Sequence, residues 1–437
     1  MRKMKDSGIE WIGEIPESWD VSKLLYFLRC PICDGPHETP DVLTEGIPFI
    51  SVDSLNESEH IDFSIVKKFI SEEQYLEYKK KANLEQGDVL FTKAATIGKT
   101  AIVGDERFMV WSPIAIIKPS KDKLFNKYLY HLLNCQVLIN EIILNGSYNT
   151  QINVGMREIE SARIPIASLE EQSRIADYLD KKCAEIDSII SAKEKTNELL
   201  KERRQSIIYE AVTKGLDPTV PMKDSGFEWI GTIPSTWEIR KLRFLGSCSN
   251  GISKASEFFG SGSPFVSYGD VYKNMELPRE VSGLIETTAE EQQLYSVEEG
   301  DVFFTRTSET IEEVAISSTC MQTIENATFA GFLIRFRPNT EFLTKEFSKY
   351  YFRSEMHRFF FVKEMNLVTR ASLSQDLLKK LPVLLPPVEE QKRIASYLDN
   401  ECSNIDELIA TNESTIEKLK EYRQSVIYEA VTGKVEV

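Results

Sequence analysis

The sequence predicts an α+β protein in which two mixed α/β domains, in pseudo-twofold arrangement, are joined and separated by two long helices forming an antiparallel coiled coil. The first observation behind this fold is an internal repeat. Residues 4–19 (MKDSGIEWIGEIPESW) return as residues 222–237 (MKDSGFEWIGTIPSTW), with 12 of 16 positions identical. Two more blocks repeat near the end of each half, 170–180 with 389–399 and 204–213 with 423–432. A repeat of this length indicates a duplicated domain rather than a solenoid unit.

The second observation is that the regions between the repeated blocks, near 20–165 and 238–380, are almost unrelated. Constant flanks around divergent centres predict one scaffold that carries two different readers. A chain of 437 residues also exceeds the size at which one core keeps growing. The predicted segments are a repeat segment at 1–19, a first domain at 20–168, a central coiled-coil helix at 169–215, a second repeat segment at 216–236, a second domain at 237–388 and a C-terminal coiled-coil helix at 389–433.

The two long helices are predicted from the spacing of their apolar residues. Alternating steps of three and four run from Ala176 to Ala211 and from Ala395 to Ala430, a heptad seam kept over five repeats. Neither helix can bury such a seam alone, so we expect the two to pair. A two-fold axis perpendicular to the pair makes the pairing antiparallel. The polar seam residues Lys193, Asn197 and Asn412 are expected to set its register.

The divergent regions are typical of mixed α/β structure. Turn residues followed by β-branched and aromatic residues predict strands, and longer amphipathic stretches predict helices. The predicted strands are 47–52 (IPFISV), 87–92 (GDVLFT), 263–268 (SPFVSY) and 300–305 (GDVFFT), and the predicted helices are 125–144 and 344–362.

The charge and hydropathy of the chain bound its class. The net charge of −16 argues at first against nucleic acid, yet residues 389–437 alone hold 11 acidic against 6 basic side chains. Bulk charge therefore does not decide the question. Since no apolar run reaches the ~18 residues of a membrane span and no signal-peptide core follows the N-terminus, we expect a cytoplasmic protein with no membrane contact.

Catalytic motifs are weak or incomplete. Residues 93–100 (KAATIGKT) end like a phosphate-binding loop but place Lys93 where the first glycine is needed. Residues 258–262 (FFGSG) fit a methyltransferase pattern, but no N-P-P-[FY] tetrapeptide accompanies it. The four histidines lack metal-ligand spacing, and Cys30 and Cys33 form an isolated C-x-x-C pair, for which buried free thiols are the simpler interpretation. The sequence predicts no catalytic residue, no metal site and no cofactor, hence not an enzyme.

Recognition remains as a function, and it is predicted from polar loops in equivalent places. Hydroxyl and basic side chains follow each Gly-Asp-Val strand, and a second polar loop comes later in each half. Such side chains contact phosphates and base edges, although each alone is equally compatible with an ordinary surface loop. The candidates are Lys93, Thr96, Lys99, Asn149 and Gln151 in the first half and Arg306, Thr307, Ser308 and Arg370 in the second.

Taken together, these motifs resemble the DNA-sequence-specificity subunit of a type I restriction–modification system. The resemblance spans nearly the whole chain and is carried by residues 5–16 with their copy from Lys223, by both Gly-Asp-Val motifs, and by the Glu-Glu-Gln triplets at 170 and 389. Residues 34–40 (DGPHETP) and 250–254 (NGISK) also resemble recurrent segments of that family, which adds Lys254 to the candidate DNA-binding residues.

The resemblance implies a function and partners. Each divergent region would be a target recognition domain that reads half of a split site in double-stranded DNA, and the helices would act as a spacer. Two methyltransferase subunits and, for cleavage, two restriction (translocase-nuclease) subunits would dock on it, and adenosylmethionine, ATP and Mg²⁺ would belong to those partners. The alternative is a scaffold or decoy that holds methyltransferase partners without reading DNA. A fused modification enzyme is a third, disfavoured by the missing tetrapeptide.

Overall fold

The structure, a computed structural model, describes residues 2–56, 58–145, 153–308, 313–339, 341–364 and 371–437. The chain forms two compact units. Unit 1 comprises Met1–Lys193 and Glu413–Val437, and unit 2 comprises Glu194–Asn412. Among the helices of these ranges, none combines the length and the apolar character needed to cross a membrane.

In its described residues, unit 1 contains short strands, four short helices, the first part of one long helix and the last part of a second, α11 (Val388–Val431). Its strands are β1 (Met4–Asp6), β2 (Glu14–Pro16), β3 (Asp20–Lys23), β4 (Cys33–Asp34), β5 (Ile47–Ile50), β6 (Phe69–Ile70), β7 (Val89–Thr92), β8 (Thr100–Ile102), β9 (Met109–Val110), β10 (Ile114–Ile117) and β11 (Arg163–Ile166). Its helices are α1 (Glu72–Lys79), α2 (Asn126–Leu133), α3 (Gln136–Leu144), α4 (Met156–Ser161) and the first part of α5 (Leu169–Lys214).

Unit 2 follows a similar order of elements. Its strands are β12 (Met222–Asp224), β13 (Thr232–Pro234), β14 (Glu238–Lys241), β15 (Gly246–Asn250), β16 (Phe259–Val266), β17 (Gly283–Ile285), β18 (Val302–Thr305), β19 (Thr307–Ser308), β20 (Ser317–Thr319), β21 (Thr328–Phe329), β22 (Leu333–Pro338), β23 (Ala371–Ser372) and β24 (Pro382–Leu385). Its helices are α6 (Tyr268–Lys273), α7 (Ala289–Leu294), α8 (Lys345–Arg353), α9 (Arg358–Glu364), α10 (Gln375–Leu378) and the first part of α11 (Val388–Val431). Helix α6 and the short strands β19 and β23 are additions to the order of elements described for unit 1.

The two divergent regions share one sheet topology. Unit 1 has an antiparallel sheet of order β4-β10-β7-β8, and unit 2 has an antiparallel sheet of order β15-β22-β18-β20. Each unit adds a three-stranded sheet with one antiparallel and one parallel pair, β6-β5-β9 and β17-β16-β21. The predicted strands are found as β5, β7, β16 and β18. The duplication is therefore visible in the fold where the sequences have diverged.

The aspartate of each Gly-Asp-Val motif is structural. Asp88 has no exposed surface and accepts hydrogen bonds from Arg29 Nη2 at 2.6 Å and Lys118 Nζ at 2.5 Å. Asp301 is equally buried and accepts two bonds of 2.7 Å from the Arg337 guanidinium, a bidentate pair. Because Lys118 directly follows β10 and Arg337 lies in β22, each pair fixes the Asp-Val strand to its central neighbour.

The glutamine of each Glu-Glu-Gln triplet joins a long helix to its domain. Gln172 is fully buried, accepts a bond from Phe125 N–H at 2.8 Å and donates to the Ala167 carbonyl at 2.9 Å. Gln391 accepts from Thr344 N–H at 3.0 Å and donates to the Pro386 carbonyl at 2.9 Å. In both units one amide side chain therefore connects the start of the long helix with the residue just before α2 or α8.

The long helices pair antiparallel, which confirms the predicted coiled-coil pairing. In unit 2, Asn412 Nδ2 donates to Asn197 Oδ1 at 2.8 Å, and further along α5 Arg204 Nε lies 3.3 Å from Asp406 Oδ1. As α5 advances, its partners on α11 move backwards. In unit 1, Asp187 Oδ1 lies 3.0 Å from Arg423 Nε, and Ile175, Leu179 and Cys183 of α5 share one core with Val426, Ile427 and Ala430 of α11. Asn197 is buried, so its bond to Asn412 suits the predicted register-setting role.

The predicted single helices over 125–144 and 344–362 are wrong in detail. The first is divided at Asn134 and Cys135, where Cys135 has an extended backbone with ψ of 111°. Asn134 Nδ2 donates to Thr100 Oγ1 at 2.6 Å, so a tertiary contact to β8 holds the break. In unit 2 Ser354, with ψ of 148°, divides α8 from the turn before α9. Both breaks let a second helix change direction and pack on the same core.

We predict that Asp180 stabilises unit 1 in a pH-dependent way. Its carboxylate lies 2.7 Å from His131 Nε2 and accepts from Lys127 Nζ at 2.7 Å, and mainly the His131 bond lowers the pKa of Asp180 to about 2. Because this pKa is lower folded than unfolded, the stabilisation is complete above about pH 4 and is lost as the pH falls towards 2. Asp180→Asn should lower the free energy of unfolding at pH 7 by about 1–2 kcal/mol in urea titrations.

The matched control is Asp177→Asn, because Asp177 is exposed on the same turn of α5. It should change the free energy of unfolding by less than about 0.5 kcal/mol. The difference between wild type and Asp180→Asn should narrow as the pH is lowered from about 5 to about 3. If the difference in the free energy of unfolding stays constant over this pH range, the charge of the Asp180 carboxylate does not stabilise unit 1.

Candidate nucleic-acid interface

Three polar segments meet at one end of the four-stranded sheet in unit 1. The first follows β4, the second (residues 93–99) follows β7, and the third begins at Asn153. Lys93 joins all three, since its Nζ lies 3.2 Å from Asp34 Oδ2 and its carbonyl accepts from Val154 N–H at 2.9 Å. Its N–H donates to the Pro113 carbonyl at 2.8 Å, just before β10.

Unit 2 repeats this arrangement with other residues. Arg306 occupies the place of Lys93, since its N–H donates to the Phe332 carbonyl at 2.9 Å and its carbonyl accepts from Leu373 N–H at 2.7 Å. Strand β19 then pairs with β23, which directly precedes Leu373. The segment after β15 is tied in by Gly331 N–H, which donates to the Ile252 carbonyl at 2.8 Å. The structure thus places the loops that follow β7 and β18 against the residues at Asn153–Val154 and at Ala371–Leu373, which come after the second predicted loop of each half; those second loops lie outside the described residues.

A glycine allows the first segment to approach the sheet in both units. A Cβ atom on Gly35 would lie 1.8 Å from the Val110 carbonyl oxygen, and one on Gly251 would lie 2.2 Å from the Ala330 carbonyl oxygen. These are backbone atoms of the strand-to-strand connection and cannot move aside as a flexible side chain would. The segments 34–38 and 250–254 can therefore lie against the strand before β10 or β22 only because glycine has no side chain.

The predicted lysines are engaged within the protein. Lys93 is about 10% exposed and paired with an equally buried Asp34. Lys99 donates its ammonium to the carbonyls of Val52 at 3.2 Å and Leu55 at 2.7 Å. Lys254 donates to the Glu286 carbonyl at 2.8 Å and to Glu291 Oε2 at 2.7 Å. These contacts position the loops and use hydrogen-bond donors of the side chains that were predicted to meet DNA. A carboxylate also offsets the charge of Lys93 and of Lys254, whereas Lys99 is bonded to carbonyls.

The remaining candidates are more accessible or lie outside the described residues. Thr96 is exposed at the tip of its loop, and Arg306 and Thr307 are half-buried. Ser308 is described only by its backbone pairing in β19. Three candidates lie outside the described residues: Asn149, Gln151 and Arg370.

Both loops contain an alanine in the left-handed region. Ala95 has φ of 64° beside Thr96, and Ala315 has φ of 62° at the far end of the unit 2 loop. This conformation costs an alanine roughly 1–2 kcal/mol. Such strain is found mostly where the surrounding structure serves a site, so the loops have shapes that local backbone preference alone does not select.

Sequence reasoning did not select three further side chains at this edge. Asp34 holds Lys93 in place, and His37, 3.3 Å from Asp34, has a side chain that is 76% exposed. Phe332, whose carbonyl binds Arg306, is 66% exposed and offers an aromatic face. A cleft of about 360 Å³ lies beside the first segment and includes Tyr78 and Lys81. Among these three side chains, Asp34 and His37 had a sequence signal, the DGPH string, whereas an exposed phenylalanine cannot be recognised from sequence.

The arrangement suits polar recognition. Within the described ranges no cluster of three or more His, Cys, Asp or Glu side chains could hold a metal ion. Exposed hydroxyl, imidazole and aromatic groups lie in loops at the ends of the sheet strands, and groups of these kinds are suited to contacts with base edges and phosphates.

Comparison with known proteins identifies a family. A family model described as the type I restriction modification DNA specificity domain matches residues 40–201 and 234–421, one match in each half. The type I restriction enzyme MjaVIII specificity subunit of Methanocaldococcus jannaschii is 24% identical over 431 residues, 97% of this chain and 94% of that protein.

Two solved structures share the fold. One comes from work on complex assembly and conformational transition of the type I R-M system. The match includes 96% of this chain and 99% of the chain in that structure, with a TM-score of 0.74 and 16% sequence identity. The HsdS subunit of Thermoanaerobacter tengcongensis covers 96% and 98% with a TM-score of 0.53 and 16% identity. At this identity the likeness concerns the fold, and it confirms the predicted fold class.

We predict that the Lys93–Asp34 pair can be removed only as a pair. Lys93→Met leaves a buried carboxylate without its cation and should lower the free energy of unfolding by about 2–4 kcal/mol. Adding Asp34→Asn should recover most of this loss, because the amide is neutral. Chemical denaturation of the single and double variants measures both effects.

Thr96→Ala, an exposed change in the same loop, is the control and should cost less than about 0.5 kcal/mol. If the double variant is no more stable than Lys93→Met, the ion pair is not what the lysine contributes.

Proposed function

Because the chain belongs to the family of type I restriction modification DNA specificity domains, we propose that it is the non-catalytic subunit that reads a split DNA sequence, one half with each unit. The observation that carries the proposal is an equivalent arrangement in the two units. Each unit has its own four-stranded sheet, and at the same end of that sheet three segments meet. The residues in these segments differ between the units. An identical scaffold with different loop chemistry is what two different half-sites require.

We assign the reading of bases first to Thr96 in unit 1 and to Arg306 and Thr307 in unit 2. A guanidinium can bind guanine bidentately, and hydroxyls reach bases or phosphates. Ser308, the neighbour of Thr307 in β19, is included by its place in the chain. Asn149, Gln151 and Arg370, which lie outside the described residues, remain further candidates, because Asn149 and Gln151 come shortly before Asn153 and Arg370 directly before β23. Lys93, Lys99 and Lys254 serve chiefly as positioning residues, since their ammonium groups are paired internally.

The two long helices are proposed as the spacer between the readers. The contact Asp187–Arg423 in unit 1 and the contact Asp406–Arg204 in unit 2 use residues that are equivalent through the repeat. This reciprocity is expected of a pair related by a pseudo-twofold axis. The division into two repeat segments, two recognition domains and two coiled-coil helices, as predicted from the sequence, is part of this proposal.

The chemistry is proposed to reside in partners. Two methyltransferase subunits and, for cleavage, two restriction subunits would dock on the repeated blocks, in the cytoplasm. Adenosylmethionine, ATP and Mg²⁺ would bind to those subunits. The alternative, a scaffold that holds methyltransferases without reading DNA, does not account for strained, equivalent loops at a sheet edge.

A chimera tests the division of labour. Residues 24–162 would be replaced by residues 242–381, because Leu24 N–H donates to Ala162 at 3.0 Å and Leu242 N–H donates to Leu381 at 2.9 Å, so both cuts fall at the same backbone contact. The chimera should select the second half-site twice, as an inverted repeat, from a random duplex pool. The reverse replacement is the control and should select the first half-site twice. Selection of the parental sequence by either chimera would contradict independent reading.

A paired insertion tests the spacer. Four residues added after Lys193 and four after Asn412 lengthen both helices by about 6 Å, and a four-residue stutter is tolerated in a coiled coil. At ~3.4 Å per base-pair step, the gap between half-sites should grow by one or two base pairs. The half-site bases should stay the same, because no loop is altered.

An insertion in α5 alone is the control, since it breaks the seam and should destabilise the pair without giving a new defined gap. Selection of the old gap by the doubly lengthened protein would show that the helices do not set the spacing.

A further inference from the structure

Phe332 of unit 2 carries an exposed aromatic ring on a main chain that is hydrogen-bonded on both sides. The residue is 66% exposed. Before it, Gly331 N–H donates to the Ile252 carbonyl at 2.8 Å, and after it, Leu333 N–H donates to the Ala330 carbonyl at 2.9 Å. Leu333 itself is fully buried and begins β22. The ring therefore lies in solvent on a well-defined turn at the start of a core strand.

The turn that carries the ring also anchors Arg306, the first residue after β18. The Phe332 carbonyl accepts from Arg306 N–H at 2.9 Å, and Arg306 Nη1 lies 3.4 Å from the Gly331 carbonyl oxygen. The guanidinium thus lies at the peptide group that joins Gly331 to Phe332. Arg306 is half-buried, as is its neighbour Thr307. A guanidinium and an aromatic ring are therefore positioned by the same short piece of main chain.

Unit 1 has the corresponding turn without an aromatic residue. Lys93 N–H donates to the Pro113 carbonyl at 2.8 Å, which is the bond that Arg306 makes with Phe332 in unit 2. The residue after Pro113 begins β10, as the residue after Phe332 begins β22. Pro113 is half-buried. The turn forms with a proline in one unit and a phenylalanine in the other, so the fold of the sheet does not account for the ring.

The place of the ring indicates what it can contact. Single exposed apolar residues are common on protein surfaces, so exposure alone does not point to a ligand. At this turn, however, the ring accompanies a guanidinium that is a candidate for reading bases. Guanidinium groups bind O6 and N7 of guanine in the major groove, and the apolar group in that groove is the C5 methyl of thymine. Arg306 and Phe332 are therefore chemically suited to neighbouring base pairs in one groove.

We propose that Phe332 is a specificity-determining residue that recognises thymine in the half-site of unit 2, by packing its ring against the C5 methyl group. Burial of the ring on that methyl group recovers favourable apolar contact that the free protein lacks. The thymine lies next to the base pair that Arg306 contacts, because one turn positions both side chains. The inference rests on the proposed function and deepens it, since it names one base of one half-site.

Replacement of thymine by uracil tests the proposal, because uracil pairs as thymine does and lacks only the C5 methyl group. The full chain first selects its split site from a random duplex pool, and the chimera identifies the half-site of unit 2. Each thymine of that half-site is then replaced in turn. At one of them uracil should weaken binding by wild type roughly fourfold, as expected when one buried methyl group is lost. Binding by Phe332→Ala should change there by less than about twofold.

Pro113→Ala, at the equivalent place in unit 1, is the matched control and should leave the effect of uracil unchanged. Phe332→Leu keeps an apolar side chain and should retain part of the effect. Because the ring is exposed and the carbonyl bond to Arg306 does not need it, thermal unfolding should show that both Phe332 variants are folded.

The inference is overturned if the half-site of unit 2 contains no thymine, or if uracil weakens wild type and Phe332→Ala equally at every thymine. It is also overturned if Phe332→Ala weakens all duplexes alike, with or without the methyl groups, as a wedge between base pairs would. In each case wild type still selects a split site, so the proposed function stands. If wild type selects no defined sequence, the proposed function fails, and this inference fails with it.

Discussion

A helix of more than forty residues with one apolar seam cannot remain single in water, and the rest of this structure depends on that constraint. α5 and α11 satisfy it by pairing antiparallel, with Asn197 bonded to Asn412 inside the seam. For the paired helices to hold the domains in defined positions, each long helix must begin in a fixed orientation to the domain that precedes it. Gln172 and Gln391 supply that relation through buried amide bonds. The repeated blocks are thus the parts of the chain that build the frame.

Much of this frame was predictable, because it rests on patterns that stay within the sequence. The heptad steps, the repeated blocks and the Gly-Asp-Val strands each indicate their structure locally. The break between α2 and α3 was not predictable, since it depends on Asn134 reaching Thr100 across the fold. The same limit applies to the site. The loops that follow β7 and β18 were predictable from the repeated Gly-Asp-Val motif, whereas the pairing of Lys93 with Asp34 depends on how β4 and β7 are arranged.

Many basic side chains of this protein make contacts within the protein. Arg29 and Lys118 neutralise Asp88, Arg337 neutralises Asp301, and Lys99 and Lys254 hold loops in shape. A basic side chain that is paired with a carboxylate contributes little to the long-range attraction of a polyanion, because the two charges offset each other. With a net charge of −16, the DNA reading proposed above depends on short-range contacts at the loops. Discrimination between sequences then depends on geometry more than on total charge.

The glycines that let segments 34–38 and 250–254 lie against the sheet also limit how the loops can diversify. Gly35 and Gly251 cannot gain even a methyl group without striking a backbone carbonyl. Mutation can therefore alter the chemical character of the neighbouring side chains while the main chain keeps its path. The backbone at Gly35 and Gly251 is thus a constant part of the site, and the side chains around it are the variable part. Under the proposed function, new specificities arise by substitution around these two glycines, without any change to the scaffold.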